Sequence, residues 1–266
     1  MDLGLAGKKA IVTGGTRGIG RAIADHFAAE GTDVGICARN ATEVASAVAA
    51  LRGTGVKATG RAVDVSDGPA LTQWVADAAA ELGGLDIVVC NVSALAIGQD
   101  EASWKAEFET DMMGTVRAVN AAMPLLEKSP APAIVIISSV SGREVDFAAG
   151  PYGVFKAALI HYAKGLSFQL AAKGIRVNTV SPGNTYFPGG VWEKIEQGNP
   201  KLFADALALN PAHAEIVYFD RAMAREDSGD MKGAYLDYRK AAQLAPTWDT
   251  PKQQLARFNV AHSPNS

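Results

Sequence analysis

Six short runs rich in β-branched residues alternate with longer alanine-rich segments between Lys8 and Ala208, and this alternation constrains the fold more than any other feature. Several of the runs are apolar on both faces, which is typical of parallel strands covered by helices on both sides. Because crossovers between parallel strands are right-handed, the pattern predicts an α/β fold with a doubly wound sheet. The six predicted strands lie at about residues 8–14, 32–38, 56–63, 85–90, 131–139 and 174–182.

Helical patterns connect these strands and predict a Rossmann-type arrangement in which the usual seventh strand is missing. The predicted helices cover about residues 18–30, 41–52, 67–82, 101–128, 150–173 and 190–208.

Strand-like runs stop at Pro211, and two helical patterns (212–226 and 231–245) then flank the turn sequence DSGD. They predict an α-helical hairpin, followed by a short helix over 251–260 with Thr250 as its N-cap. We therefore expect two domains, residues 1–209 and residues 210–266.

Charge and composition exclude several classes of protein. The net charge is only −3, so bulk charge gives no reason to expect nucleic-acid binding. No apolar run approaches the roughly 18 residues needed to cross a bilayer, so no membrane association is expected. Cys37 and Cys90 lie inside apolar runs, which indicates buried thiols in a reducing compartment rather than a disulfide framework. A cytoplasmic protein without a metal site is the resulting expectation.

A glycine-rich turn, TGGTRGIG, follows the first predicted strand and opens the first predicted helix. Gly14, Gly18 and Gly20 would allow a tight turn in which backbone N–H groups and the positive helix end approach a pyrophosphate. Because the turn lies inside a strand–helix–strand unit, the context favours nucleotide binding over a purely structural turn.

The end of the second strand bears on which dinucleotide is bound. An acidic residue there would accept the ribose hydroxyls of NAD, but the sequence has Ala38-Arg39-Asn40. Arg39, with Arg17 in the glycine turn, favours NADP(H), while NAD(H) stays possible because both can be ordinary surface arginines. Asp64 and Val65 after the third strand are candidates for the adenine edge, and a helix N-cap is the alternative role for Asp64.

Three polar residues form a candidate acid/base group. Ser139 ends the fifth strand, and Tyr152 and Lys156 follow at a spacing that puts both on one face of a helix. A phenol has an unperturbed pKa of about 10, and an adjacent ammonium favours its phenolate. Tyr152 is therefore the candidate acid/base, and Ser139 the group that hydrogen-bonds to a carbonyl or alcohol oxygen.

These motifs, together with KAALIHYAKGLSFQLAAKGIRVNTVSPG, resemble the short-chain dehydrogenase/reductase family over residues 5–209. The resemblance implies hydride transfer between a nicotinamide and the carbonyl or alcohol carbon of a small substrate, with Lys156 also binding the nicotinamide ribose. It implies that the cofactor contacts Gly14, Thr16, Arg17, Gly18, Ile19, Gly20, Arg39, Asp64, Val65, Asn91, Ser93, Tyr152, Lys156, Pro182, Gly183 and Thr185.

The chain departs from the family pattern at three places. The usual Asn-Asn-Ala-Gly after the fourth strand is Cys90-Asn91-Val92-Ser93, which keeps only the second Asn. Asp111 replaces the Asn of a catalytic proton relay, and an ionised Asp cannot donate a hydrogen bond. Phe187 occupies a position that often holds Thr near the nicotinamide, so either Thr185 substitutes for that Thr or the contact is absent.

The segment from Pro211 to Pro246 resembles a single tetratricopeptide repeat, since its two prolines are 35 residues apart, close to the family period of ~34. Its small, aromatic and turn positions match at Tyr218, Ala222, Gly229, Asp230, Ala234, Tyr238 and Ala241. The alternative to an enzyme is accordingly a catalytically weak nucleotide-binding scaffold that holds a protein partner. The reductase resemblance also implies a homodimer formed through the helices at 101–128 and 150–173.

Overall fold

The structure, a computed structural model, describes residues 2–146, 148–201, 203, 214–227 and 229–258. The chain divides into two compact units, Met1–Gly183 and Asn184–Ser266. The domain boundary expected between residues 209 and 210 lies outside the described residues.

A six-stranded parallel sheet forms the centre of the first unit and confirms the predicted doubly wound fold. Its strands are β1 (Lys9–Thr13), β2 (Asp33–Ala38), β3 (Ala58–Ala62), β4 (Ile87–Cys90), β5 (Ala133–Ile137) and β6 (Arg176–Val180). Their order across the sheet is β3-β2-β1-β4-β5-β6. The order reverses between β1 and β4, and in such sheets ligands bind at the carboxyl ends of the strands beside this reversal.

Helices cover both faces of the sheet. They are α1 (Gly18–Ala29), α2 (Ala41–Arg52), α3 (Gly68–Leu82), α4 (Glu101–Glu107), α5 (Gly114–Leu126) and α6 (Pro151–Leu170), with short 3₁₀ turns at Val140–Gly142 and Ala171–Lys173. On one face Trp74, Leu126 and Leu159 are buried, and on the other Ile36 and Leu51. Each such side chain contributes about 1.5–3 kcal/mol through burial.

The helix predicted over 101–128 is present, and a π-helical segment, Phe108–Met113, lies within it between α4 and α5. Its i→i+5 hydrogen bonds place one more residue in each turn than an α-helix has, and π-helical turns occur frequently at functional sites. Hydrophobic periodicity cannot reveal this, because the apolar positions on either side keep an ordinary helical spacing.

Both cysteines are buried in the first unit and neither is paired. Burial raises the pKa of each thiol to about 12, so that the thiol form dominates. The predicted buried, structural thiols are therefore present.

The second unit is helical in its described part. It contains α7 (Val191–Gly198), α8 (Ala214–Asp227), α9 (Met231–Leu244) and α10 (Asp249–Leu255). Helices α8 and α9 form the predicted hairpin, and Asp230 caps α9 by accepting a hydrogen bond from the Gly233 N–H at 2.9 Å. Thr250 is not an N-cap, because α10 begins at Asp249 and Trp248 occupies the cap position.

Two apolar clusters lie within the second unit. Aromatic and alanine side chains fill the hairpin, whereas α7 packs its Trp192 into a separate cluster with Tyr186 and Phe203. The hairpin cluster consists of Phe219, Ala222, Ala234, Tyr238 and Ala241. In the described residues of either unit, no helix has both the length and the apolarity to cross a membrane.

Candidate active site

The glycine-rich turn connects β1 to α1 at the point where the strand order reverses. Gly14 and Gly18 have φ of +69° and +55°, the left-handed region that favours glycine. A Cβ on Gly20 would lie 2.2 Å from the Gly14 carbonyl oxygen, so a side chain at that position would displace the turn. The cap residue of α1, Arg17, makes no side-chain capping hydrogen bond within the described chain. The first N–H groups of α1 therefore fit a phosphate ligand.

Asn91 fixes the shape of this turn from the end of β4. Its side-chain amide donates to the carbonyl oxygens of Thr13 at 3.0 Å and Gly14 at 3.3 Å. Its backbone N–H donates to Thr13 Oγ1 at 2.9 Å. The structure thus gives Asn91 a turn-holding contact that the sequence did not reveal. Ser93 accepts a hydrogen bond from the Leu95 N–H at 3.2 Å, in a loop where Leu95 has φ of +52°.

Arg39 lies exposed just after β2, close enough to Asp64 for their charges to interact. Hydrogen bonds from the backbone N–H and then the hydroxyl of Ser66 lower the pKa of Asp64, and the charge of Arg39 lowers it further. Asp64 is not the N-cap of α3, because Asp67 fills that position. Val65 is buried against the side of Gly114.

A carboxylate that the sequence analysis did not consider lies beside the glycine turn. Glu43, in the first turn of α2, accepts a hydrogen bond from the Thr16 hydroxyl at 3.1 Å. Its other oxygen accepts from the side-chain amide of Asn40 at 3.3 Å. The signal was present in the sequence: Asn40 followed three residues later by an acidic residue resembles a capping-box pattern.

Ser139 follows β5 and caps the 3₁₀ turn at Val140–Gly142. Its Oγ accepts a hydrogen bond from the Ser141 N–H at 3.2 Å. This turn lies directly against α6, since a Cβ on Gly142 would be 2.6 Å from the Lys156 carbonyl carbon. The neighbouring Ser138 hydroxyl donates to the Lys156 carbonyl oxygen at 2.7 Å. The serine loop, residues 138–142, is therefore fixed in position against α6, which carries the other two candidate catalytic residues.

Tyr152 and Lys156 lie one turn apart near the start of α6, on the same face as the spacing predicts. The Lys156 Nζ is 5.6 Å from the centroid of the Tyr152 ring. Tyr152 is half-buried, whereas the Lys156 side chain is only 2% exposed. The ammonium donates to the Ile137 carbonyl oxygen at 3.2 Å and lies 2.9 Å from Asp111 Oδ2.

Asp111 lies in the π-helical segment and is completely buried. Its other oxygen, Oδ1, accepts a hydrogen bond from the Ala94 N–H at 2.8 Å. The family has Asn at the position of Asp111, and an Asn amide is neutral. The Asp111 carboxylate differs because it also neutralises the buried Lys156 ammonium.

Glu107, which was not predicted as a site residue, is a second buried carboxyl group beside Asp111. Its Oε1 accepts a hydrogen bond from the Ala96 N–H at 2.6 Å. Burial, followed by the charge of Asp111, raises the pKa of Glu107 to about 8, although Lys156 and the Ala96 N–H oppose the shift. Glu107 and Asp111 are four residues apart, and two carboxylates at that spacing repel each other on a helix. This unfavourable spacing was the sequence feature that could have indicated Glu107.

Three of the four remaining predicted cofactor residues, Pro182, Gly183 and Thr185, follow β6. The Pro182 carbonyl oxygen accepts a hydrogen bond from the Val140 N–H at 2.9 Å, which joins this segment to the serine loop. Ile19 lies in the first turn of α1, and Gly183 ends the first unit. Thr185 belongs to the second unit.

The structure therefore brings together, within the first unit, a glycine turn shaped for phosphate and a phenol beside a buried ammonium. A phenol in this setting can give a proton to, or take one from, an oxygen bound at the carboxyl ends of the strands.

Comparison with known proteins agrees with this chemistry. The family model described as short chain dehydrogenase matches residues 8–197. An isoepoxydon dehydrogenase from Penicillium expansum is 39% identical over 209 residues, which cover 76% of this chain and 79% of that protein.

Two solved structures share the fold. A short chain dehydrogenase from Burkholderia cenocepacia in complex with NADP has a TM-score of 0.65 and 35% identity, over 68% of this chain and 76% of that one. A carveol dehydrogenase from Mycobacterium avium in complex with NAD has a TM-score of 0.64 and 27% identity, over 66% of this chain and 70% of that one.

Proposed function

Because this chain belongs to the short-chain dehydrogenase family, it is an NAD(P)-dependent oxidoreductase, and we propose that it transfers a hydride between NADP(H) and a carbonyl or secondary alcohol. The observation that carries the proposal is the placement of the Lys156 ammonium 5.6 Å from the Tyr152 ring centroid, on the helix that packs against the serine loop. The bound nicotinamide would supply or accept the hydride, and its ring would lie near Tyr152.

Each candidate catalytic residue then has a definite task. Tyr152 gives its phenolic proton to the substrate oxygen during reduction and takes it back during oxidation. Ser139 hydrogen-bonds to the same oxygen and orients it. Lys156 stabilises the phenolate electrostatically and hydrogen-bonds to the nicotinamide ribose, while Asp111 holds the Lys156 ammonium in position.

The exposed guanidinium of Arg39 supports a preference for NADP(H), since it lies where a ribose 2′-phosphate would need a cation. Glu43 supports the alternative, because a carboxylate beside the glycine turn would accept the ribose hydroxyls of NAD(H) and repel a phosphate. Of the two solved relatives, one binds NADP and the other NAD.

Fluorescence titration with NADPH and NADH separates these alternatives. We expect NADPH to bind more tightly, and Arg39→Ala to weaken NADPH about tenfold, equivalent to ~1.4 kcal/mol, with little effect on NADH. Arg176→Ala, which removes an exposed arginine of β6, is the control. Tighter binding of NADH by the unmodified protein would overturn the preference.

Turnover on a panel of ketones and secondary alcohols tests the reaction itself. Tyr152→Phe should reduce kcat by about 10²–10⁴-fold while leaving cofactor binding intact. Tyr162→Phe changes a tyrosine on the same helix that packs in the core, and it should keep most of the activity. The proposal fails if no substrate of this class is turned over, or if both variants lose activity equally. The scaffold alternative is not favoured, because the chain retains the complete Ser139, Tyr152 and Lys156 set.

The C-terminal helices carry a second, separate proposal. The hairpin buries Ala222, Ala234, Tyr238 and Ala241, which are four of the positions that match a tetratricopeptide repeat. We propose that residues 210–266 are a repeat-like domain appended to a reductase domain at residues 1–209. A variant ending at residue 209 that binds NADPH as the full chain does would support this division, and loss of binding would contradict it.

We further propose that the protein is a cytoplasmic homodimer. Exposed aromatic side chains on α4, the π-helical segment and α6 support the dimer, since Trp104, Phe108 and Phe168 leave apolar surface on the helices expected to pair. Two free thiols are compatible with a reducing compartment. Sedimentation at equilibrium should give twice the chain mass, and a monomer at micromolar concentration would refute the dimer.

A further inference from the structure

The buried carboxyl pair of Glu107 and Asp111 has more acceptor oxygens than donors. Two of its four oxygens accept backbone N–H groups, from Ala96 and Ala94. The other two, Glu107 Oε2 and Asp111 Oδ2, accept no hydrogen bond from the described residues. Buried polar atoms rarely stay without a partner, so each such atom requires an explanation.

The cation nearby satisfies only part of this need. Lys156 Nζ lies 2.9 Å from Asp111 Oδ2, but its hydrogen bond goes to the Ile137 carbonyl oxygen. Its single positive charge faces two carboxyl groups, both of which have no exposed surface. Two ionised carboxylates beside one ammonium would leave an uncompensated buried charge, which is strongly unfavourable.

A proton on one of the carboxyl groups removes both difficulties. The side chains of Glu107 and Asp111 are close enough to hydrogen-bond, and a protonated Glu107 provides the missing donor. Besides Asp111, the described charge that acts on Glu107 is that of Lys156 on α6. The facing loop donates the backbone N–H groups of Ala94 and Ala96, and both of these are already used by the other two carboxyl oxygens.

We propose that Glu107 and Asp111 hold a single proton between them, so that one negative charge, and not two, faces the Lys156 ammonium beside Tyr152. Glu107 is then a positioning residue that acts through Asp111. Its effect on catalysis rests on the proposed function, whereas the shared proton can be measured without any turnover.

The shared proton has a consequence for the pH dependence of catalysis. At the pH where the pair loses this proton, a second negative charge appears near Lys156 and disfavours the Tyr152 phenolate. Alcohol oxidation, which needs the phenolate, should therefore require higher pH than it would with a permanently monoanionic pair. Glu107→Gln creates such a pair, because Gln keeps an oxygen for the Ala96 N–H and supplies an amide donor toward Asp111.

NMR of the full-length protein labelled with ¹³C at the glutamate side-chain carboxyl tests the shared proton directly. We expect one glutamate resonance to titrate with a midpoint near pH 8 and to be absent from Glu107→Gln. If Glu107→Gln does not fold, Asp111→Asn identifies the same resonance by moving its midpoint toward acid. The proposal is overturned if every glutamate resonance of the unmodified protein titrates below pH 6.

The pH profile of alcohol oxidation tests the catalytic consequence. The midpoint of its alkaline rise should move about one pH unit toward acid in Glu107→Gln. Glu101→Gln removes an exposed carboxylate from the same helix, α4, and should leave the midpoint unchanged. An unchanged midpoint in Glu107→Gln contradicts the positioning role. Absence of turnover in the unmodified protein would instead refute the proposed function, and the NMR titration would still decide whether the proton is shared.

Discussion

Two groups of charged side chains, one buried in the first unit and one partly buried in the second, differ in how completely their charges are paired. We name Glu107, Asp111 and Lys156 the site cluster, and Glu196, Arg221, Arg225 and Asp237 the hairpin cluster. In the hairpin cluster Arg221 forms two hydrogen bonds with Asp237, at 2.6 and 2.7 Å, and a third with Glu196 at 2.7 Å. In the site cluster two carboxyl groups face one cation, and two carboxyl oxygens accept no hydrogen bond from the described residues.

The difference in pairing indicates that the hairpin cluster has a structural role, whereas the site cluster contains a group that can change its protonation state. Two guanidinium groups balance two carboxylates in the hairpin cluster, and its bidentate geometry fixes the relative positions of α7, α8 and α9. Incomplete pairing in the site cluster leaves a group whose protonation can change near neutral pH, as functional sites require. Four substitutions test this difference.

The largest effect is expected from Lys156→Met, which removes the only cation of the site cluster. At pH 9 both carboxyl groups would need to stay charged without compensation, so we expect a loss of about 3–5 kcal/mol in the free energy of unfolding. At pH 5 the Glu107 carboxyl group is protonated, so less buried charge is left without compensation and the loss should be smaller. Urea unfolding at both pH values measures this difference, with Lys164→Met on the exposed side of α6 as the control.

Arg221→Met should cost about 3 kcal/mol, because it leaves Asp237 buried with Arg225 as its remaining partner at 2.9 Å. Unlike Lys156→Met, its effect should change little between pH 6 and 9, because Arg225 still pairs with both Asp237 and Glu196. Thermal unfolding followed by helical circular dichroism measures it. Arg239→Met, at an exposed position of α9, should be nearly neutral. A strong pH dependence for Arg221→Met would remove the distinction between the clusters.

Glu107→Gln should flatten the pH dependence of stability. The pKa of Glu107 is raised in the folded state from 4.5 to about 8, so folding favours the protonated form. Its contribution is complete below pH ~4.5 and is lost as the pH rises toward 8. The unmodified protein should therefore lose on the order of 4 kcal/mol more than Glu107→Gln between pH 5 and pH 8.5. Equal slopes in urea unfolding of the two proteins would contradict the raised pKa.

The smallest effect is expected from Asn91→Ala, which removes an uncharged hydrogen-bonding side chain rather than a charge. Loss of the two hydrogen bonds to the glycine turn should cost about 1–2 kcal/mol in unfolding free energy. Because these bonds fix the carbonyl groups beneath the phosphate site, NADPH affinity should fall as well. Asn178→Ala on β6 is the control. Unchanged NADPH affinity would show that the turn keeps its shape without Asn91.

Much of the first unit was predictable from the sequence because its strands and helices are determined by patterns of neighbouring residues. Alternating apolar runs fix strands and helices, and the interval between Tyr152 and Lys156 determines that they share a helical face. The order of the strands then brings the ends of β1, β4 and β5 to one edge.

The features that were not predicted depend on contacts made only in the folded chain. Glu107 and Glu43 each belong to a weak local pattern, but their position in the site follows only after folding brings Lys156 near Glu107 and Thr16 against Glu43. The π-helical segment inside the helix predicted over 101–128 was not foreseen either, because it has no signature in apolar spacing. The Thr250 cap failed because Asp249 already supports the first turn of α10.

The π-helical segment also limits which changes in chain length this region tolerates. A π-helical segment accommodates one residue more than an α-helix does over nearly the same rotation, so deleting one residue between Phe108 and Met113 would regularise the helix with little rotation of α4 against α5. Asp111 would then lose the wide turn in which it accepts the Ala94 N–H and pairs with Lys156. Length variation among relatives should therefore be rarer in this segment than its position on the outer layer of the fold would suggest.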